Sequence, residues 1–548
     1  MDCVKKNDEE SKRLVPMRYP IGIQSFEKLR KEGYVYVDKT GLIHELAQGS
    51  ICFLSRPRRF GKSLLMSTLK CYFEGRRDLF EGLKIMDLEQ EWTRYPVISF
   101  DFNLGEKEKV KGLRSYILSV IAKHENQYAI SPLIDDETNR AFTDVSLRFN
   151  HLVEELHQVT GRQVVVLVDE YDKPLLDLID SGDGADEKLM ESNRKLLKNF
   201  FSVFKAADAH LRFVFLTGVT KFSQVTMFSG INQPDDISLD KHYDTLLGIT
   251  AQELYTVFAD SIRELADEEG KSEEEMKAML KHRYDGYHFS EGMTDVYNPF
   301  SILNVLKKKK LRDYWFQTGT PAFVVRLMNK MHEDVMDYTQ GEHQYDEFLN
   351  YKLDTARPLP MLFQAGYLTI KGYNPDFETY KLDFPNMEVR RGMITLFAND
   401  YLQVKGQAVA WVNKIVMAFR SGDLDLVRKL FTAFLAETPY CMRPKKESEF
   451  YFHYTFYLLM RLISCYTVYT EKQLSEGRAD CIVETNGYVY IFEFKLDGTS
   501  EEALQQIRER GYAKAYEADQ RPVYIIGANF SSKTGTIEDW RQEVISEK

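Results

Sequence analysis

Three charged residues near the C-terminus, Asp480, Glu493 and Lys495, lie in RADCIVETNGYVYIFEFK, a stretch that is otherwise largely apolar. Asn486-Gly487 at its middle is a strong two-residue hairpin signal, because a type I′ turn needs positive φ at both central positions. Pairing outward from that turn sets Glu484 opposite Val489 and Asp480 opposite Glu493. Residues directly opposite share a face, and the period of two puts Lys495 on that face as well. The other face carries Cys481, Val483, Tyr490, Phe492 and Phe494, while Ile482 and Ile491 lie among the charges. A hairpin apolar on both faces is expected to be central and covered on both sides. Two carboxylates opposed there repel, and one keeps its proton unless a cation compensates. Carboxylate oxygens suit Mg2+ or Mn2+, and the lysine could stabilise developing charge or orient an attacking water. The bland alternative is a surface Glu–Lys pair worth under about 1 kcal/mol. It explains each residue singly but not their register.

A second constellation lies near the N-terminus. Apolar ICFLS (51–55) runs into RPRRFGKS (56–63), and a helical pattern begins at Lys62. Backbone N–H groups at a helix N-terminus can wrap phosphates, with Lys62 reaching the β/γ oxygens and Ser63 holding Mg2+. Gly61 permits close backbone approach, whereas Arg56 stands where the general G-x-x-x-x-G-K-[ST] pattern has a freer glycine. The run Arg59-Phe60-Gly61-Lys62-Ser63-Leu64 is therefore the candidate nucleotide-holding segment. Further on, VVVLVDEYD ends an apolar strand in Asp169 and Glu170. Asp169 is placed for the Mg2+ shell, and Glu170 to position or deprotonate an attacking water. The strand RFVFLTGVTKFS ends in Thr217, with Lys221 beyond, and these are candidates to sense a γ-phosphate. Arg56, Arg58 and Arg59 either contact phosphates, act across a subunit boundary, or are simply solvated.

Both sets of residues need elements to hold them. ICFLS, VISFDF (97–102), VVVLVDE (164–170) and RFVFLTG (212–218) alternate with longer helical stretches, which predicts a largely parallel sheet covered on both faces. Thr250-Ala-Gln-Glu253 and Ser272-Glu-Glu-Glu275 fit the capping box that opens a helix. MLFQAGYLTIKGYNPDFETYKLDFPN reads as a helix followed by a hairpin, a winged-helix-like arrangement. Helices are expected at about 447–463 and from Ser500 to Tyr516, on either side of the C-terminal hairpin.

A chain of 548 residues is too long for one core. Its net charge of −11 argues against a protein coated in nucleic acid, while leaving room for a local basic groove. The six cysteines lack metal-ligand spacing, which fits a reducing compartment. MDCVKKNDEESKRLVP has no apolar core of a signal peptide, and no run nears the ~18 apolar residues that span a bilayer. The expectation is a cytoplasmic protein without a membrane partner.

Further segments make the chain recognisable: PIGIQSFEKL (20–29), YVDKT (36–40), RPRRFGKS (56–63), VDEYDKP (168–174), TGVTKFS (217–223), YDGYHF (284–289) and VYNPFS (296–301). The chain resembles the bacterial AAA-ATPase-like family whose members carry a C-terminal PD-(D/E)XK nuclease-type domain. The resemblance spans nearly everything after the tail and implies a multidomain α/β protein. A tail (1–17) would precede a P-loop NTPase domain with a mostly parallel sheet covered by helices (18–248). A helical lid and winged-helix-like middle region (249–440) and an α/β PD-(D/E)XK nuclease-like domain (441–548) would follow. In that family RPRRFGKS is the usual loop form, so Arg56 is a family trait. Asp480 and Glu493 match the metal-binding acids and Lys495 the catalytic lysine, with Ala479 in place of the leading Pro. Glu449, on the helix containing EFYFHYTFYLLMRL, resembles a supporting acid, and His453 shares its helix face. Gln506 and Tyr512 resemble the helix motif that flanks such sites.

The implied activity is ATP binding and hydrolysis coupled to a Mg2+- or Mn2+-dependent nuclease cutting DNA or RNA, with DNA favoured, in mobile-element control or defence. Assembly as a homo-oligomer would fit a shared arginine. The competing reading is a nucleotide-switched signalling or scaffold ATPase with an inactive nuclease fold. Lys495, Arg508, Arg510 and Lys514 are the basic residues nearest the hairpin site, and a charged helix face is their default reading.

Overall fold

The computed structural model describes residues 17–103, 110–135, 140–180, 187–221, 234–316, 328, 337–349, 358–401, 408–437, 468–469, 473–474, 477–478, 481–517 and 519–546. The chain divides into two compact units, Met1–Val389 and Arg390–Lys548.

The first unit is built on a five-stranded sheet of β1 (Ile51–Ser55), β2 (Val97–Asp101), β3 (Val164–Asp169), β4 (Leu211–Gly218) and β5 (Asp235–Asp236). The order is β2-β3-β4-β1-β5, and every pairing is parallel. The strands read as continuous apolar runs because both faces are covered. Phe73 of α1 (Lys62–Phe73) packs on Phe213, while Phe149 of α2 (Val145–Thr160) and Phe200 of α3 (Glu187–Ala206) pack on Phe100. The ladder puts Phe100 and Phe213 on opposite faces. Parallel strands all end on the same side, so Ser55, Asp169 and Gly218 bring their following loops together.

The segment that follows residue 248 lies in the same compact unit as the parallel sheet. Helices α4 (Ala251–Val257), α5 (Ala259–Glu268), α6 (Glu273–Tyr284) and α7 (Pro299–Lys308) share a core of Leu254, Phe258, Ile262, Leu280 and Ile302 within the first unit. Both expected capping boxes form, at Thr250/Glu253 and Ser272/Glu275. The helix-then-hairpin reading also holds, as α8 (Pro358–Gln364), β7 (Thr369–Asn374) and β8 (Thr379–Asp383), with a third strand β6 (Glu342–Gln344) beside β8. Helix α9 (Met387–Tyr401) starts in the first unit and continues into the second.

In the second unit, α10 (Ala408–Ser421) and α11 (Leu424–Glu437) precede a five-stranded sheet. Its order is β9 (Val468–Tyr469), β10 (Cys481–Glu484), β11 (Val489–Leu496), β12 (Val523–Phe530), β13 (Ile537–Ser546). Only the β11–β12 pairing is parallel, and α12 (Ser500–Glu509) makes the crossover. The hairpin register follows the sequence reading, with Cys481 opposite Phe492 and Glu484 opposite Val489. Thr485 N donates to Tyr488 O at 2.8 Å and closes a two-residue turn. The turn is not type I′, since neither Asn486 nor Gly487 has positive φ. The Thr485 hydroxyl holds it instead, accepting from Gly487 N at 3.3 Å and Tyr488 N at 2.9 Å. Helix α12 also ends at Glu509 rather than running to Tyr516, because Gly511 takes a left-handed φ of 63° and a 3-10 turn follows.

The hairpin is covered on both sides. Leu504 and Ile507 of α12 meet Ile482 and Ile491, and Phe419 of α10 packs on Tyr490 and Phe492 across the sheet. The α12 approach depends on Gly527, which pairs with Glu493. A Cβ there would lie 2.2 Å from the Ser500 carbonyl oxygen and 3.1 Å from Ala503 Cβ. Gly527→Ala is therefore expected to destabilise the second unit by about 1–3 kcal/mol, read as a lower midpoint in chemical denaturation. An unchanged midpoint would mean that α12 shifts without loss.

Candidate functional site

The loop between β1 and α1 carries its strain at two positions, Arg59 with φ 70° and Gly61 with φ 101°. Arg56 needs no such freedom, which explains how arginine can replace glycine there. Its side chain is not solvated. It is 1% exposed, lies 4.1 Å over the Phe289 ring, and donates to the carbonyls of Ser238 (2.5 Å), Ser55 (3.1 Å) and Tyr243 (3.3 Å). Burial lowers its pKa to about 10, while Asp244 and Asp236 favour the charged form. Arg56 is thus an internal pillar of the loop. Phe60 is likewise buried, edge-on to Tyr287 and Phe289.

Lys62 turns back on the loop. Its Nζ donates to Arg56 O at 3.0 Å and Pro57 O at 3.2 Å. The Ser63 side chain lies near Asp169 at the end of β3. Burial pushes the Asp169 carboxyl up to about 6, the Ser63 hydroxyl lowers it, and Glu170 raises it again. These two groups offer the hard oxygens that Mg2+ prefers, and a bound cation would offset the cost of burying the acid. Glu170 follows in a left-handed conformation (φ 52°), its N–H on Asp169 Oδ1 at 3.0 Å.

A cavity of about 470 Å³ opens on this cluster, within the usual size of small-molecule sites. Arg58, Arg59, Gly61, Lys62, Ser63, Leu64 and Glu170 all line it. Chain segments remote in sequence complete the wall: Pro20–Gln24, Lys173 and Asp177 beyond β3, Phe300 on α7, Trp315 and Tyr367. Thr217 is not among the lining residues; it is fully buried and its hydroxyl donates to Leu54 O at 2.7 Å. Lys221 is also withdrawn, buried in an ion pair with Asp236.

The sequence reading missed Asp172. It is fully buried, and its Oδ2 accepts from Val219 N (3.0 Å), Thr220 N (2.6 Å) and the Thr220 hydroxyl (2.7 Å). It ties the loop after β3 to the loop after β4, and a Cβ on Gly218 would come within 2.5 Å of its Oδ1. Its position in VDEYDKP, three residues after Asp169, was the available signal. Asp172→Ala strands two buried N–H donors and is expected to cost about 3 kcal/mol. Thermal unfolding should register this as a clear drop in Tm, and a Tm unchanged within about 1 °C would contradict it.

In the second unit, Glu493 is 2% exposed, and Lys495 Nζ stands 3.5 Å from its Oε1. Lys495 also donates to Gln506 Oε1 of α12 at 2.6 Å. Tyr512 is instead part of the apolar core between α12 and the sheet. Arg508 is engaged by Glu543 and Glu501, the bland reading of that helix face. Asp480, Glu449 and His453 lie outside the described residues, and so does the helix expected at 447–463. Among the described residues no group of three or more His, Cys, Asp or Glu is gathered as a metal site. Glu493 by itself offers the type of oxygen that Mg2+ or Mn2+ takes.

The first unit has the sheet, loop and cavity of a P-loop nucleotide protein, and the second has the hairpin and crossover helix of a nuclease-type fold. Residues 20–228 match the family model described as Predicted AAA-ATPase, and residues 447–540 match that of the PD-(D/E)XK nuclease superfamily. The chain belongs to the AAA-ATPase-like family with a C-terminal PD-(D/E)XK nuclease-superfamily domain. It is 36% identical over 537 residues to an "Uncharacterized protein in vnfD 5'region" of Azotobacter chroococcum mcd 1, covering 95% of this chain and 98% of the relative. No solved structure matches it. Among the described residues no helix is long and apolar enough to cross a membrane.

Proposed function

We propose that the chain is an ATP-dependent nuclease, in which ATP binding or hydrolysis in the first unit controls phosphodiester cleavage by the second. The observation that carries the first half is that Lys62, Ser63 and Glu170 line one cavity of about 470 Å³, with Asp169 adjoining Glu170 and Ser63. Arg58 and Arg59 add positive charge to the walls, as a polyphosphate requires, while Lys173 is paired with Asp177. In this reading Lys62 binds the phosphates, Ser63 and Asp169 hold Mg2+, and Glu170 orients the attacking water.

Glu493 and Lys495, on one face of a buried hairpin, support the second half. Glu493, with Asp480 and Glu449, would hold Mg2+ or Mn2+. A divalent cation there would polarise the phosphodiester and activate water. Lys495, steadied by Gln506, would stabilise charge on the phosphate oxygens. DNA is the favoured substrate over RNA, and control of mobile elements or defence against foreign nucleic acid suits such a pairing. A cytoplasmic location and homo-oligomerisation complete the proposal.

The test is a cleavage assay on plasmid and single-stranded DNA and on RNA, with Mg2+ or Mn2+, with and without ATP. Metal-dependent cleavage that responds to ATP is expected. Absence of any cleavage above that of Lys495→Ala on every substrate would leave the scaffold reading. Cleavage indifferent to both ATP and Lys62→Ala would remove the coupling.

A further inference from the structure

Three consecutive carbonyls of the phosphate loop are already occupied by side chains. Lys62 Nζ holds those of Arg56 and Pro57, and the indole Nε1–H of Trp315 donates to Arg58 O at 3.0 Å. An indole has a single N–H, so Trp315 can hold only one acceptor. Its ring also lines the cavity and packs on Tyr367 at 5.3 Å and Tyr287 at 6.5 Å. Gly366, next to Tyr367, lies so close to the loop that a Cβ would come within 2.6 Å of Pro57.

The backbone of the same tryptophan is anchored elsewhere. Trp315 N donates to Glu388 Oε1 at 2.7 Å, and the Ser301 hydroxyl donates to Glu388 Oε2 at 2.7 Å. Ser301 belongs to α7, one residue from Phe300 in the cavity wall. Glu388 is 2% exposed, and burial pushes its carboxyl up to about 7 against the bonds from Ser301, Trp315 and Tyr314. A carboxylate so deeply buried is costly unless its donors stay in place. It sits in the first turn of α9, the helix that leaves the first unit at Val389.

We propose that Glu388, acting through Trp315, is a positioning residue for the phosphate loop, and that nucleotide binding is transmitted along this path to α9. The proposal rests on the nucleotide reading of the cavity. A phosphate draws the Lys62 ammonium away from the Arg56 and Pro57 carbonyls, and the loop adjusts around the remaining tether at Arg58. Trp315 moves with that tether, and its backbone N–H and the Ser301 hydroxyl shift against Glu388. Dense packing turns such a shift into a displacement of the helix turn that bears the acid. The chain of contacts is continuous from loop to helix, as coupling by this route requires.

The test is hydrogen exchange of the full-length protein with and without ATP and Mg2+, together with ATP titration. In the wild type, ATP is expected to change exchange across residues 387–401 by about threefold or more. Trp315→Phe keeps a ring but lacks the N–H. It should bind ATP about threefold to tenfold more weakly, the worth of one hydrogen bond, and lose the change in α9. Glu388→Gln, similar in size but with one donor in place of an acceptor, should lose it too. ATP binding by the wild type without any change in α9 overturns the relay and leaves the nucleotide site standing. A Trp315→Phe protein that retains the wild-type response also overturns it. Failure of the wild type to bind ATP defeats both.

Discussion

Replacing Lys62 with alanine is expected to weaken binding of ATP with Mg2+ by at least about 100-fold, or about 2.7 kcal/mol. The lysine is 4% exposed, and its ammonium is held inside the loop by the Arg56 and Pro57 carbonyls. A charge-assisted bond to phosphate in so enclosed a place is worth far more than one at the surface. Alanine also strips two loop carbonyls of their donor, so a lower Tm should accompany the lost affinity. Lys62→Arg would keep the charge but add a planar fork in a space shaped for a point charge, and should rescue little. Isothermal titration decides the matter. Binding within about threefold of wild type would remove Lys62 from the phosphate site and weaken the ATP reading as a whole.

Lys495→Ala is the complementary case in the second unit, expected to lower metal-dependent cleavage by about 10²–10⁴-fold. Here the fold should hardly notice the change. Lys495 is half-buried, its Glu493 contact is a long 3.5 Å, and its shorter bond is to the neutral Gln506. Loss of activity with an unchanged Tm would therefore mark a role in chemistry. Gln506→Ala, which frees the ammonium without removing it, should give a smaller loss. A full-strength Lys495→Ala enzyme would exclude the proposed nuclease site.

The elements were largely readable from pattern. The strand candidates at 51–55, 97–102, 164–170 and 212–218 became parallel strands at 51–55, 97–101, 164–169 and 211–218, and the two capping boxes opened their helices where expected. These signals are local, because they depend on residues within a turn or a strand of one another. The helix after the hairpin ran shorter than expected for an equally local reason, the left-handed Gly511. The turn itself kept its register for a reason other than the Asn-Gly conformation. Cross-strand apolar pairs and the Thr485 hydroxyl suffice to hold it.

The candidate sites divide in the same way. Sequence alone singled out Lys62, Ser63 and Asp169 as candidates, and it placed Lys495 on the face of Glu493, because each follows from strand period and loop spacing. It could not show that Arg56 and Thr217 turn inward. Their partners, Ser238, Tyr243 and Leu54, come from other strands and loops. Nor could it bring Pro20–Gln24, Phe300, Trp315 and Tyr367 to one cavity wall. Nothing in the spacing of Trp315 and Glu388 hints that one buried carboxylate receives the N–H of the other. Short-range spacing thus determined which residues can do chemistry. Packing of distant segments decided which of them face a cavity and which are consumed in holding it, since a buried polar group must find its partner wherever the fold supplies one.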